Sequence, residues 1–201
     1  MRWVGGSTSP SRAISEKSVT RWSRTKGARA TEAGADGVGA LPVGAGLSSG
    51  WRIAAPSRTI IPELKRRWTG TDAVELSDRS TPNELDLVRS MASRYDAVLA
   101  GVFVRASSGS GRLDLAPGSV RLLEQLARDT TRRGQPMAAV VFGNPYVSAS
   151  MPDVPAMLLT YDFSDLAEES AVKALSGEIP IVGRLPIAIP GLFEVGFGPG
   201  R

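Results

Sequence analysis

The chain has 201 residues, enough for one domain with a tail or for one large domain. It contains no Cys and no His, which excludes disulfides, thiolate nucleophiles and any Ser-His-Asp or Cys-His catalytic group built within the chain. The net charge of +4 lies wholly in residues 1–50, because residues 51–201 carry seventeen basic and seventeen acidic side chains. Acid–base chemistry by this chain would therefore depend on carboxylates, Tyr, Arg and four Lys.

Residues 1–52 have the composition of a basic Gly/Ser/Ala/Arg-rich tail. Apolar residues do not recur there at a helical or strand spacing, so we predict a disordered tail and no nucleic-acid partner. The alternative is that the tail binds nucleic acid, in which case the affinity would fall steeply with salt concentration. Gly5 and Gly6 interrupt the start, where a secretory signal would have its apolar core. No apolar stretch is long enough to cross a bilayer, so no membrane insertion is predicted, and the compartment stays open.

From about Ile53 onward, apolar strands alternate with amphipathic helices. Thr81 can accept from the backbone N–H of Glu84 and Pro82 suits the first helical position, which together predict a helix start. In chain order we predict helical turns at 62–68, a short strand at 73–76, a helix from 81, a strand at 97–104, a helix at 117–133, strands at 137–142 and 156–161, a helix from 165 to 177 and a strand at 183–190. This alternation predicts one domain over 53–201, a three-layer α/β/α sandwich with a mostly parallel sheet.

The turn Gly143-Asn144-Pro145-Tyr146 is a candidate binding element. It ends a predicted buried strand, and ligand crevices in open parallel sheets lie at the carboxyl ends of strands. Asn144 and Tyr146 are therefore expected where a polar ligand or a partner domain would be met, although a turn that only packs fits the same pattern.

Two other patterns indicate little chemistry. The Ser/Gly loop at 107–111 matches the dinucleotide pattern G-x-G-x-x-G only in part, because Asp114 takes the third glycine position and would repel a phosphate. Asp165 and Glu168 are interpreted as a capping pair, and Glu169 as helix surface. Nothing in the sequence specifies the carboxylate separation that a glycosidase site needs, and we predict no catalytic residue, metal site or cofactor in this chain.

Several short motifs follow one another in a distinctive order over about 55–198. They are Arg79-Ser80-Thr81-Pro82, the run Asp96–Arg105, Gly143-Asn144-Pro145-Tyr146, Pro152-Asp153-Val154-Pro155, Tyr161, the run Ala171–Pro180, Gly183-Arg184-Leu185-Pro186-Ile187, Ile189-Pro190-Gly191-Leu192 and Gly196-Phe197-Gly198. As an ordered set they resemble the C-terminal domain of glycoside hydrolase family 3, of the β-N-acetylglucosaminidase and β-glucosidase type.

The resemblance implies a catalytic (β/α)₈ barrel as partner, since family members carry one ahead of this domain. The barrel holds the Asp nucleophile and, in the acetylglucosaminidase branch, an Asp-His acid/base pair. A barrel needs about 250 residues, more than this chain has, and the chain lacks His. The chain alone is expected to be inactive, and a standalone carbohydrate-binding or protein-interaction module is the alternative.

The resemblance also suggests which side chains face the barrel or an N-acetylglucosamine-containing sugar. Other branches of the family place an acid/base Glu on this domain, but no residue here is assigned that role. Family members often work in the cell envelope or outside the cell. The expected sugar-facing or barrel-facing residues are Arg105, Asn144, Tyr146, Tyr161, Glu178 and Arg184.

Overall fold

A computed structural model describes the backbone of residues 2–4 and 38–44, and backbone with side chains for 58–68, 70–104 and 114–199. Within these residues, six strands form one sheet in the order β1-β6-β5-β4-β2-β3. Every neighbouring pair is parallel except β1 with β6. The strands are β1 (Arg2–Val4), β2 (Val38–Gly44), β3 (Asp72–Ala73), β4 (Ala97–Val104), β5 (Met137–Gly143) and β6 (Met157–Leu159).

Helices cover both faces of the sheet and create two apolar cores. One core contains side chains of α2 (Pro82–Ala92) and α3 (Pro117–Arg133), and the other contains side chains of α1 (Ile60–Arg67) and α4 (Asp165–Leu175). Along the central strands, successive side chains enter these two cores in turn, and all of β4 is buried. The predicted α/β/α sandwich with a mostly parallel sheet is therefore confirmed.

The predicted helix start at Thr81 and the predicted helix end at residue 133 are confirmed in detail. Thr81 accepts from the N–H of Glu84, whose carboxylate accepts in return from the N–H of Thr81 at 2.6 Å. Gly134 ends α3 in the left-handed conformation at φ +65°, which a glycine adopts without steric cost. Local chemistry at these positions agrees with the global fold, which is why the sequence predicts them well.

Two expectations for the described region were wrong. A third, the short strand at 73–76, is met only in part, because β3 covers Asp72–Ala73. Residues 183–190 form no strand; the chain turns at Gly191, so that Ile189 bridges Phe193 instead. Pro186 and Pro190 lack the N–H that a longer ladder would need. The first turn of α4 is capped by Ser164, not by Asp165, and Glu168 serves another helix.

The N-terminal region predicted as a tail contributes two strands to the sheet. β2 pairs along its whole length with β4, from Val38 opposite Ala97 to Gly44 opposite Phe103, and Arg2–Val4 pairs with β6. No strand was predicted here, because Gly and Pro within Val38–Gly44 lower its β propensity. The other residues of the predicted tail lie outside the described residues, and a domain boundary at 53 stays a prediction.

Candidate functional site

The carboxyl ends of β2, β4, β5 and β6 lie along one edge of the sheet, because these strands are mutually parallel. This side of the molecule is called the carboxyl edge below. The described residues there are the turn after β5 and the loop Thr160–Ser164, which joins β6 to α4. In parallel sheets the crevices at this edge are where ligands bind.

The turn after β5 presents Asn144 and Tyr146 at the carboxyl edge. Gly143 has φ +85°, and the chain then enters a 3₁₀ helix at Pro145–Ser150. The side-chain oxygen of Asn144 accepts from the backbone N–H of Tyr146 at 3.2 Å, and the N–H of Asn144 donates to the carbonyl of Val104 at 3.3 Å. Tyr146 is 51% exposed, so it remains available for contact with a partner or a ligand.

The loop after β6 contains Tyr161, the one described non-glycine residue with positive φ, at +61°. Side chains of Met157, Leu159 and Tyr161 all pack into the core beneath α2 and α3, as the alternation of a strand dictates. Phe163 breaks that alternation and packs into the core beneath α1 and α4. Left-handed backbone at a bulky residue costs free energy, and such strain clusters at functional sites.

Asp162 supplies a carboxylate within this loop. The hydroxyl of Ser164 donates to it at 2.6 Å, and the N–H of Phe163 donates at 2.7 Å. The hydrogen bond from the Ser164 hydroxyl, and to a smaller extent the one from the Phe163 N–H, hold the pKa of Asp162 below its ordinary value. Asp162 is therefore a fixed, ionised hydrogen-bond acceptor beside Tyr161.

The other expected site residues include Arg105 and Arg184. Arg105 directly follows β4, but it lies outside the described residues. Arg184 is exposed in the C-terminal segment, and its guanidinium donates to the carbonyl of Gly196 at 3.0 Å. That contact holds two parts of the C-terminal segment together.

Glu178 lies toward the opposite edge of the sheet. It follows α4, which starts beside the carboxyl end of β6 and runs back along the sheet. Its carboxylate pairs with Arg67 through contacts of 2.5 and 2.9 Å, and accepts from the Ser176 hydroxyl at 2.7 Å. Glu178 therefore ties the end of α4 to the end of α1, and that it faces a barrel or a sugar stays a prediction.

Phe163 and Glu168 have structural roles that their sequence patterns do not suggest. The ring of Phe163 lies against the backbone of Gly143, and Glu168 hydrogen-bonds the start of α1. Both contacts join segments far apart in the chain, so no local pattern could indicate them. Among the described residues, no cluster of three or more acidic side chains could hold a metal ion, and no helix is both long and apolar enough to span a bilayer.

Neither a family model nor a curated protein matches this sequence. Solved structures that share the fold include glycoside hydrolase family 3 (GH3) enzymes. One is a fungal multi-domain GH3 β-N-acetylglucosaminidase with a GCN5-related glucosamine N-acetyltransferase region, at a TM-score of 0.60 and 23% identity, over 86% of this chain and 18% of that one.

Two bacterial enzymes match in the same way. A GH3 β-N-acetylglucosaminidase from Paenibacillus sp. str. FPU-7 has a TM-score of 0.58 at 13% identity, over 89% of this chain and 34% of that one. A β-glucosidase from Listeria innocua in complex with isofagomine has a TM-score of 0.54 at 14% identity, over 76% of this chain and 23% of that one. The chain thus has the fold of one part of GH3 enzymes and spans between 18 and 34% of their length, which confirms the resemblance at the level of the fold.

Proposed function

We propose that this chain is the C-terminal accessory domain of a GH3-type glycoside hydrolase of the β-N-acetylhexosaminidase kind. In this role it packs against a catalytic (β/α)₈ barrel and shapes the site for an N-acetylglucosamine-containing sugar. The observation that carries the proposal is the fold match, which covers 86% of this chain but only 18% of a fungal GH3 β-N-acetylglucosaminidase. A partner domain would supply the rest of such an enzyme.

The proposed hydrolysis requires that partner. Retaining glycoside hydrolysis needs a nucleophilic carboxylate and an acid/base group about 5–5.5 Å apart on either side of the glycosidic bond. The acetylglucosaminidase branch uses a His in its acid/base pair, and this chain contains none. The isolated chain is therefore proposed to be catalytically inactive.

The carboxyl edge is the proposed face toward the barrel and the sugar. Tyr146 offers an exposed ring, on which the apolar face of a sugar can stack. Asn144 and Asp162 add an amide and an ionised carboxylate at the ends of neighbouring strands, and such groups can accept hydrogen bonds from sugar hydroxyls. Arg105 and Arg184 remain proposed contacts as hydrogen-bond donors, and Tyr161 and Glu178 remain proposed barrel-facing or sugar-facing residues.

An assay of the purified full chain on p-nitrophenyl N-acetyl-β-glucosaminide tests the proposal. No release of p-nitrophenol is expected from the chain alone, and the coding sequence upstream is expected to encode a barrel. Robust turnover by the chain alone, persisting after contaminating hydrolases are removed, would contradict the proposal that hydrolysis requires a separate catalytic barrel.

A standalone carbohydrate-binding module is the second candidate, favoured by the exposure of Tyr146 beside Asn144. Isothermal titration with N-acetylglucosamine and with muropeptide-type sugars separates the two. Binding of micromolar strength by the full chain, without a barrel, favours the module. An absence of binding, together with self-association, favours a domain whose partner is missing.

A further inference from the structure

We propose that Phe163 is a positioning residue: its ring locks the turn at Gly143 and thereby sets where Asn144 and Tyr146 stand. The loop after β6 would then control the turn after β5, so that the two behave as one rigid unit. The mechanical coupling is independent of what the site binds. That the coupling positions Asn144 and Tyr146 for contact with a sugar or a barrel rests on the proposed function.

The contact between Phe163 and Gly143 is too close for any side chain to intervene. A Cβ placed on Gly143 would lie 2.0 Å from Cζ of Phe163, and 2.6 and 2.7 Å from its two Cε atoms. Gly143 also has φ +85°, a conformation that favours glycine. The position therefore needs glycine for two separate reasons, one of which is the Phe163 ring.

Phe163 is itself held in place by the loop that carries it. The Thr160 hydroxyl donates to the carbonyl of Asp162 at 2.9 Å, and the Thr160 N–H donates to the carbonyl of Val141 in β5 at 3.0 Å. Asp162 accepts from the N–H of Phe163, so the backbone just before the ring is pinned. The backbone that carries the ring cannot move away from Gly143 without breaking this set of bonds, and the packing of the ring in the core beneath α1 and α4 disfavours other rotamers.

A change of sheet face between Tyr161 and Phe163 explains how the Phe163 ring reaches Gly143. Tyr161 packs into the core beneath α2 and α3, and Phe163, two residues later, packs into the core beneath α1 and α4. The left-handed Tyr161 turns the chain between the two sides of the sheet. The chain crosses from one side of the sheet to the other beside Gly143, the last residue of β5. The Phe163 ring therefore lies directly on the turn that begins the Asn144–Tyr146 segment.

A double-mutant cycle on the full chain tests the contact. G143A is expected to lower the folding equilibrium constant about tenfold more than G196A, because both glycines have left-handed backbones but nothing lies within 4 Å of a Cβ at Gly196. With F163A present, that excess is expected to fall below about threefold. An excess that F163A leaves unchanged would overturn the proposal.

Fluorine NMR of the chain labelled with 3-fluorotyrosine tests the positioning effect, and its three tyrosines give three signals. F163L is expected to shift or broaden the signal of Tyr146 and to leave that of Tyr95, which bonds Asp72, in place. L175A, at the far end of α4 in the same core, is the control for a general loss of stability. A Tyr146 signal that responds equally to L175A, or does not respond to F163L, would show that Phe163 only fills space.

Neither measurement requires a sugar or a barrel. A chain that binds no sugar can still show the coupling, and a chain that binds sugar can lack it. Failure of the coupling therefore leaves the proposed function standing, and failure of the proposed function leaves the coupling standing.

Discussion

Glu168 of α4 accepts a hydrogen bond of 2.7 Å from the backbone N–H of Ile60, the first residue of α1. The same carboxylate oxygen accepts from the N–H of Thr59 at 3.0 Å, and Glu168 is only 3% exposed. The first N–H groups of a helix have no partner within it, and a negative charge there interacts favourably with the helix dipole. One helix of this layer therefore supplies the N-terminal cap of the other.

Replacing Glu168 by Ala should destabilise the protein by about 2 kcal/mol, because it removes the acceptor for a buried N–H. The control is E169A at the adjacent position, where Glu169 pairs with Lys173 near the surface at 2.6 Å, and a loss below about 0.5 kcal/mol is expected. Urea unfolding of both variants measures the difference. Equal losses would show that the Glu168 contact contributes little.

Acid should destabilise the fold between about pH 5 and pH 2. Hydrogen bonds from Arg66 and Arg67 lower the pKa of Glu63 to about 2, from an ordinary value of 4.5. The pKa values of Asp129, beside Arg89, and Asp165, beside Arg58, are also lowered. The folded state binds these protons more weakly than the unfolded state, so their contribution is complete above the ordinary pKa and is lost as the pH falls through the folded one.

Thermal unfolding across that pH range provides the measurement. The E63Q variant should lose less of its melting temperature than the parent between pH 5 and pH 2.5, because its side chain no longer titrates. E194Q, at an exposed carboxylate of the C-terminal segment, serves as the control and should follow the parent curve. Parallel curves for E63Q and the parent would contradict the role assigned to Glu63.

Removing the hydroxyl of Ser148 should cost nothing. Its Oγ is buried in the 3₁₀ helix without a hydrogen-bond partner among the described residues. The S148A variant should therefore match the parent or gain up to about 1 kcal/mol, because an unsatisfied polar group no longer needs to be desolvated.

Ser176 supplies the matched comparison for Ser148. Its hydroxyl donates to the carbonyl of Lys173 at 3.0 Å and to Glu178 at 2.7 Å. The S176A variant should lose about 1 kcal/mol in the same denaturant titration. A loss for S148A as large as that for S176A would indicate that the Ser148 hydroxyl has a partner, such as a buried water.

Deleting residues 1–52 should promote self-association. The deletion removes β2, which pairs with β4 from Val38 to Gly44, and exposes the edge of β4 that it covered. An unpaired apolar strand edge is a template for pairing with another chain. Light scattering should detect larger species for the shortened chain than for the full one. A monomeric shortened chain with the parent melting temperature would instead support the sequence-based boundary at 53.

Much of the fold could be predicted because its local chemistry is explicit. The capping sequence at Thr81, the left-handed glycine at Gly134 and the continuous apolar run of β4 each specify an element without reference to the rest of the chain. β2 was missed because its pairing with β4, and not its own propensity, makes Val38–Gly44 a strand.

The candidate site was predictable only in part. Asn144 and Tyr146 follow a buried strand, so the topology of a parallel sheet places them at the carboxyl edge. Glu178 was expected to face a barrel or a sugar from the resemblance alone; its pairing with Arg67, toward the opposite edge, depends on the return path of α4 and could not be predicted from a local pattern. Phe163 could not be foreseen, because its role depends on a contact with Gly143 that only the folded chain creates.

The position of β2 between β4 and β3 has a consequence for the time course of synthesis. Val38 must wait for Ala97, its partner in the ladder, and at the usual rates of translation that interval lasts on the order of several seconds. Until Asp72–Ala73 is made, Val38–Gly44 has neither neighbour to pair with, and until β4 is made it has only the two-residue partner β3. The nascent chain therefore cannot pair its strands in the order in which they are made, because β2 joins the sheet beside a neighbour, β4, that is encoded later.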